Sequence, residues 1–316
     1  MPRQLRLEYE GAIYHLMNRG DRLEPIFRVD EDRELFIKTL GEACGKAGWE
    51  VHAYCLMTNH FHLVIETPQP TLVSGMKWML GTYTQRFNAR HRERGHLFAG
   101  RYKSLLVDES DDFYLRVVCN YVHLNPVRAG LVKKGERLES YRWSSYPEYL
   151  KTPRKRPSWI RVDRLLGELG NEDSAPGRRQ YATILEERRQ EECPEEKELV
   201  RKVRRGWRLG ADDFLERLET RIRSVGRKAK RGAHLAEEVK ETMAAKAERI
   251  IAEELKRKKM DDVTLGTLRK MDPFKVKTAR RLRGETTMTM AWIAERLHAG
   301  TAGTLAVALH QENDKE

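Results

Sequence analysis

The sequence contains no run approaching the roughly 18 consecutive apolar residues that a membrane-spanning helix needs. Cysteine is scarce: four residues (Cys44, Cys55, Cys119, Cys193), widely spaced and without a CxxC pair. That pattern argues against a disulfide framework or a zinc ribbon and favours reduced thiols. Met1 to Arg6 carries no apolar stretch of the secretory type, so a cytoplasmic location is expected. There is also no GxxxxGK[ST] phosphate loop, hence no sign of nucleotide-driven chemistry.

What the chain has in plenty is charge. Its 316 residues include 60 Lys and Arg against 48 Asp and Glu, a net +12. The isoelectric point is near 9.5. Such a balance points to an anionic partner, nucleic acid or a membrane surface. Residues 1–150 carry 21 basic and 19 acidic side chains (net +2), and residues 151–316 carry 39 and 29 (net +10). The proline-bracketed basic stretch Lys151 to Pro157 reads as a linker. Three regions are therefore expected: 1–150, a basic linker and helical region 151–230, and a helical tail 231–316.

Periodicity gives the element order of the first region. Strands are predicted at Ala12 to Met17, Trp49 to Leu56, Phe61 to Glu66 and Tyr102 to Val107. Helices are predicted at Glu31 to Lys46, along the stripe Leu72, Met76, Met79, Tyr83 and Phe87, and at Asp111 to Asn125. The order is β-α-β-β-α-β-α, whose first six elements match the split βαβ, ferredoxin-like sandwich. The expected class is α+β: an antiparallel sheet with two helices on one face, followed by an all-α C-terminal region.

His60-Phe61-His62 is the most informative stretch. Alternation along a strand puts Phe61, Leu63 and Ile65 under the helices, and His60, His62 and Glu66 on the uncovered face. Two imidazoles so placed either meet solvent or share a divalent cation. On the helix that follows, Tyr121 continues the stripe of Phe113 and Val117 and shares a face with Asn125, where Pro126 ends the helix. An aromatic there is a core residue or a nucleophile at the helix end, with an amide one turn on.

The ordered set His60-Phe61-His62 and Tyr121-Val122-His123-Leu124-Asn125-Pro126 resembles the REP-associated tyrosine transposases, in the single-tyrosine branch of the HUH endonucleases. Tyr14-His15 to Asn18-Arg19-Gly20, Met57 to Asn59, Gly100 to Lys103 and Tyr141 to Tyr146 are similar as well. The likeness covers about residues 1–150. It implies His60 and His62 as metal ligands, Tyr121 as nucleophile, Asn125 as a third ligand, and Mg²⁺ or Mn²⁺ as the ion. The implied partner is single-stranded DNA, often a hairpin, cleaved and rejoined through a 5′-phosphotyrosine link. A phenol is ionised to about one part in a thousand at pH 7, so the target phosphate must be polarised. Arg19, Arg101, Lys103 and Arg128 are candidate phosphate contacts, and His123 is read as packing or DNA contact. A monomer and a homodimer exchanging tyrosine helices are both compatible with the sequence. The alternative function is a DNA-hairpin-binding regulator that no longer cuts.

In the tail, Glu196 to Trp207 and Asp212 to Arg223 read as short charged helices, and Leu235, Val239, Met243, Ala247, Ile250 and Leu255 as the stripe of a long one. Thr289 to Leu297, the turn His298-Ala299-Gly300 and Thr301 to Leu309 resemble a helix-turn-helix. Trp292, Ile293, Leu297, Leu305 and Leu309 would be its core, and Thr301 and Thr304 would face a DNA groove.

Overall fold

All four expected strands form: β1 (Ala12–Arg19), β2 (Glu50–Leu56), β3 (His60–Thr67) and β4 (Lys103–Val107). They belong to a computed structural model that describes residues 6–190, 194–229 and 235–313; side chains at 190, 194–196, 205, 222–229, 235–242 and 311–313 are excepted. β3 pairs antiparallel with β1 and β2, and β1 antiparallel with β4, which gives the order β2-β3-β1-β4. The helix α1 (Asp30–Ala47) joins β1 to β2 with β3 inserted between them, and α2 (Leu72–His91) joins β3 to β4. This is the split βαβ arrangement.

One sheet face is an aromatic core. Phe61 of β3 meets Phe36 of α1 with ring centroids 5.0 Å apart, and Phe36 meets Tyr83 of α2 at 5.0 Å. Tyr83 keeps its hydroxyl satisfied by donating to the Ile26 carbonyl at 2.6 Å. Tyr14, Leu16, Leu63 and Ile65 complete this layer and are buried.

The opposite face, expected to be open, is covered. The helix α3 (Asp112–His123) lies across β2 and β3. Asp111 caps it by accepting from the Phe113 amide at 2.9 Å. Residues 115 to 123 are all buried, on every side of the helix, because α6 (Asp163–Glu168) and α8 (Pro194–Arg205) pack on its outer face. The histidine face of β3 is therefore an interior layer. α3 also stops two residues earlier than expected, and Leu124 leads into the one-turn α4 (Asn125–Arg128), with Pro126 in its first turn.

The break expected at Leu150 is not where the packing divides; the two units are Met1–Arg223 and Ser224–Glu316. The stretch read as a linker is tied down. Arg156 pairs with Asp173 at 2.8 Å, and Val51 of β2 exchanges backbone hydrogen bonds with Trp159 and Arg161, both at 2.9 Å. Beyond α5 (Tyr146–Leu150), the helix α7 (Ala175–Gln190) contributes Tyr181 and Leu185 to the core of the sheet, and α9 (Asp212–Ala229) contributes Phe214 and Leu218. An unforeseen fifth strand, β5 (Arg208–Leu209), runs parallel to β4 at the sheet edge.

The second unit holds α10 (Leu235–Lys258), α11 (Asp262–Thr267), α12 (Pro273–Glu285), α13 (Met290–Arg296) and α14 (Ala302–Asn313). Ala247, Ile250, Leu255, Ile293, Leu297, Leu305 and Leu309 form its own core, with Trp292 packed at the margin. The side chains of Leu235 and Val239 lie outside the described residues. Lys275 is buried, its ammonium donating to the carbonyls of Leu268 and His298 at 3.1 and 3.0 Å. Among the described residues, no helix is long and apolar enough to cross a membrane.

Candidate active site

Register builds the site. β3 pairs with β1 so that His60 faces Arg19, His62 faces Met17 and Val64 faces His15, and all six side chains share the α3 face. Lys103 of β4 faces Met17 from the other side, and Cys55 of β2 faces His62. A single row across the sheet thus runs Cys55, His62, Met17, Lys103.

The two expected ligands lie together, with the rings of His60 and His62 5.1 Å apart and nearly perpendicular. The C-terminal end of α3 lays Tyr121 against them. Its ring stands edge-on to His62 with centroids 5.9 Å apart, in the same chain. Tyr121 is 7% exposed and His62 3%. Arg128, placed by α4, donates to the Tyr121 carbonyl at 2.9 Å and holds its guanidinium 5.0 Å from the centre of the Tyr121 ring. It is therefore bound to the tyrosine itself.

His15 was missed as a site residue. It is 6% exposed, its Nε2 lies 2.9 Å from His62 Nδ1, and the two rings stack at 5.2 Å with an interplanar angle of 8°. It also stands edge-on to Tyr121 at 5.9 Å. The signal available in sequence was a second histidine on a strand next to the His60 strand. Only the register shows that His15 and His62 are diagonal neighbours.

Burial sets the charge state of this cluster. It brings the His15 imidazole down to about 4 and holds His62 well below the ordinary histidine value, where its neighbours His15, His60 and Arg128 add to the effect. His60 is lowered by burial and by the charge of Arg19. The imidazoles are neutral at pH 7, the form that binds metals.

Asn125 supplies a further polar group. It is buried, and its amide nitrogen position has no hydrogen-bond partner. Among the described residues there is no group of three or more His, Cys, Asp or Glu side chains placed to hold a metal ion. A cation here would rest on two imidazoles, the amide of Asn125 presented through its oxygen, and oxygens of the substrate. Neutral imidazoles and an amide oxygen fit a divalent ion with open positions.

Other expected residues are placed differently. Glu66 shares the histidine face, but its carboxylate is engaged by His52 at 3.0 Å and by Arg164 and Arg161 at 3.0 and 3.2 Å. His123 is fully buried, between the Tyr181 hydroxyl and Ser145 Oγ at 2.8 Å each, so it is a packing residue that anchors the end of α3. Arg19, Arg101 and Lys103 are exposed, the first and last of them on strands at the site. Thr301 and Thr304 lie in the second unit, where each hydroxyl accepts from the other's amide at 3.2 and 3.0 Å, capping α14.

Residues 8–125 match the profile of a protein family described as "Transposase IS200 like". Among solved structures, the chain is similar to one described as "Structure of the REP associates tyrosine transposase bound to a REP hairpin". The two share 14% identity over 46% of this chain and 84% of that one, with a TM-score of 0.39. No curated protein matches.

Proposed function

We propose that this chain, whose residues 8–125 match the profile described as "Transposase IS200 like", cleaves and rejoins single-stranded DNA, at sites beside a hairpin, through Tyr121. The observation that carries the reading is the placement of the Tyr121 ring against His62 of its own chain, next to His60. It supports an active site complete within one chain, without exchange of tyrosine helices.

Tyr121 Oη attacks the phosphorus of the scissile phosphodiester and loses its proton to solvent. The bond from phosphorus to the 3′ oxygen breaks, and that oxygen leaves as a 3′-hydroxyl after taking up a proton. The 5′ phosphate stays on the tyrosine as an ester. Bond energy is conserved in that ester, so a 3′-hydroxyl rejoins the strand by the reverse step without nucleotide hydrolysis. A divalent ion, Mg²⁺ or Mn²⁺, held by His60, His62 and Asn125, would supply Lewis-acid polarisation of a non-bridging phosphate oxygen. Arg128 holds the tyrosine from behind, through its carbonyl and its ring face. Arg19 and Lys103 stand exposed on the strands beside the histidines, where a phosphate backbone would run. The second unit, with α13 and α14 in helix-turn-helix order, is proposed as an accessory grip on DNA.

The test is incubation of the protein with a library of labelled hairpin-bearing single-stranded oligonucleotides and Mg²⁺ or Mn²⁺. A covalent protein–DNA adduct is expected, lost in Tyr121→Phe. An adduct that persists in Tyr121→Phe, or none across the library, overturns the proposal. The second of these outcomes, with hairpin binding intact, is what a non-cutting regulator would give.

A further inference from the structure

Each of the two histidines has its inner nitrogen occupied, and the partners differ in kind. His60 Nδ1 lies 2.8 Å from Asn59 Oδ1. The orientation of that amide is fixed elsewhere: Asn59 Nδ2 donates to the Leu23 carbonyl at 3.0 Å. A carbonyl oxygen only accepts, so the amide must turn its NH₂ to Leu23 and its oxygen to His60. The amide oxygen also only accepts, so Nδ1 of His60 carries the proton. In the neutral ring, the lone pair is then on Nε2.

Leu23 reaches Asn59 through an unusual turn. Arg22 and Leu23 both adopt left-handed backbone, with φ of 50° and 67°. Gly20 opens the turn, and a Cβ there would lie 2.0 Å from the Glu24 carbonyl oxygen. The Gly20 amide donates to the Asn59 carbonyl at 2.8 Å, so backbone and side chain of Asn59 are gripped by the same turn.

At His62 the partner is another imidazole. His15 Nε2 and His62 Nδ1, 2.9 Å apart in nearly parallel rings, share one proton. If His62 donates it, the lone pair of His62 is on Nε2. If His15 donates it, Nε2 of His62 carries a hydrogen and cannot bind a cation.

We propose that Asn59 and His15 are positioning residues that hold His60 and His62 in their Nδ1–H tautomers, presetting both Nε2 atoms as lone-pair donors to one divalent cation. The proposal rests on the reading of His60 and His62 as a metal pair, and it adds the groups that aim them. Such outer partners fix ring orientation and tautomer, and their loss weakens metal affinity by about 10- to 100-fold. His15 has a second effect, since the ring that holds His62 also meets the edge of Tyr121. One side chain thereby sets the spacing of ligand and nucleophile.

Histidine tautomers are read directly by long-range ¹H–¹⁵N correlation on the metal-free full chain, with signals assigned through His60→Gln and His62→Gln. Both rings should show Nδ1–H. An Nε2–H pattern at either ring in the wild-type protein overturns the proposal for that ring, whatever the metal does. Calorimetric titration with Mn²⁺ provides the second readout. His15→Phe and Asn59→Leu should weaken binding by about 10- to 100-fold. His15→Gln, which keeps an acceptor for the Nδ1 hydrogen, should retain most of it. Wild-type affinity in a folded His15→Phe protein overturns the role of His15; where that variant does not fold, the wild-type spectrum and His15→Gln decide. A wild-type protein that binds no Mn²⁺ defeats the metal-pair reading, and the tautomers then judge the positioning role alone.

Discussion

Glu66 shows how one strand face serves two purposes. Burial would raise its carboxyl, but the hydrogen bond from His52 and the nearby charges of His52 and Arg164 outweigh that and bring it down to about 2. A carboxyl lowered in the folded state stabilises above its ordinary value near 4.5, and that stabilisation is lost as pH falls towards 2. Glu66→Gln should therefore lower the urea midpoint at pH 7, and the gap to wild type should close between about pH 4.5 and 2. A constant gap across that range would show that Glu66 acts by packing alone. Sequence placed Glu66 with the histidines and could not tell the ion-pair end of the strand from the site end. Its partners Arg161 and Arg164 lie about a hundred residues away and carry no local signal. The place of His15 was illegible for the same reason, whereas His60, His62 and Tyr121 stand out as candidates because they fall within short ordered motifs.

Among the elements, the helices on the aromatic face follow from periodicity, and their fit depends on one small residue. In α2, a Cβ at Gly75 would lie 2.2 Å from the Trp49 indole. That indole is fixed, because Trp49 Nε1 donates to Thr71 Oγ1 at 3.1 Å and Thr71 donates to the Ala47 carbonyl at 2.8 Å. Gly75→Ala should cost about 1–3 kcal/mol through overpacking, despite the better helix propensity of alanine. A thermal scan should show the first unit melting several degrees lower; an unchanged or raised melting temperature would mean that Trp49 swings aside freely. α3 teaches the opposite lesson. Its one-sided stripe is legible in the sequence, but apolar residues such as Val118 and Val122 on its other sides are what signal a helix buried between layers.

At the scale of the whole molecule, the charge asymmetry changes with the boundary. Cut at Leu150, the chain has +2 before and +10 after. Cut where the packing divides, Met1–Arg223 and Ser224–Glu316 each carry +6. Much of the second unit's arginine is also paired internally, as in Arg281 with Glu253, Glu254 and Glu285, and Arg296 with Glu248 and Asp262. Backbone neutralisation of DNA is therefore expected from both units. Removing residues 231–316 should weaken binding of a hairpin oligonucleotide and make the dependence of log K on log salt shallower, while the Tyr121 adduct still forms. Unchanged affinity and slope at several salt concentrations would exclude the second unit from DNA binding.

The sequence by itself determined the element order of the sandwich, the pairing of His60 with His62, the nucleophile candidate and the core of the terminal helices. Each of these is written in local periodicity or in a short motif, where spacing along the chain is spacing in space. The tertiary structure decided what depends on partners distant in sequence: the covering of the histidine face by α3, the stacking of His15 on His62, and the placement of the Tyr121 ring beside His62 of the same chain. It also decided the inclusion of residues 151–223 in the first unit. Those contacts are set by strand register and layer packing, and register is a property of two segments together that neither one encodes alone.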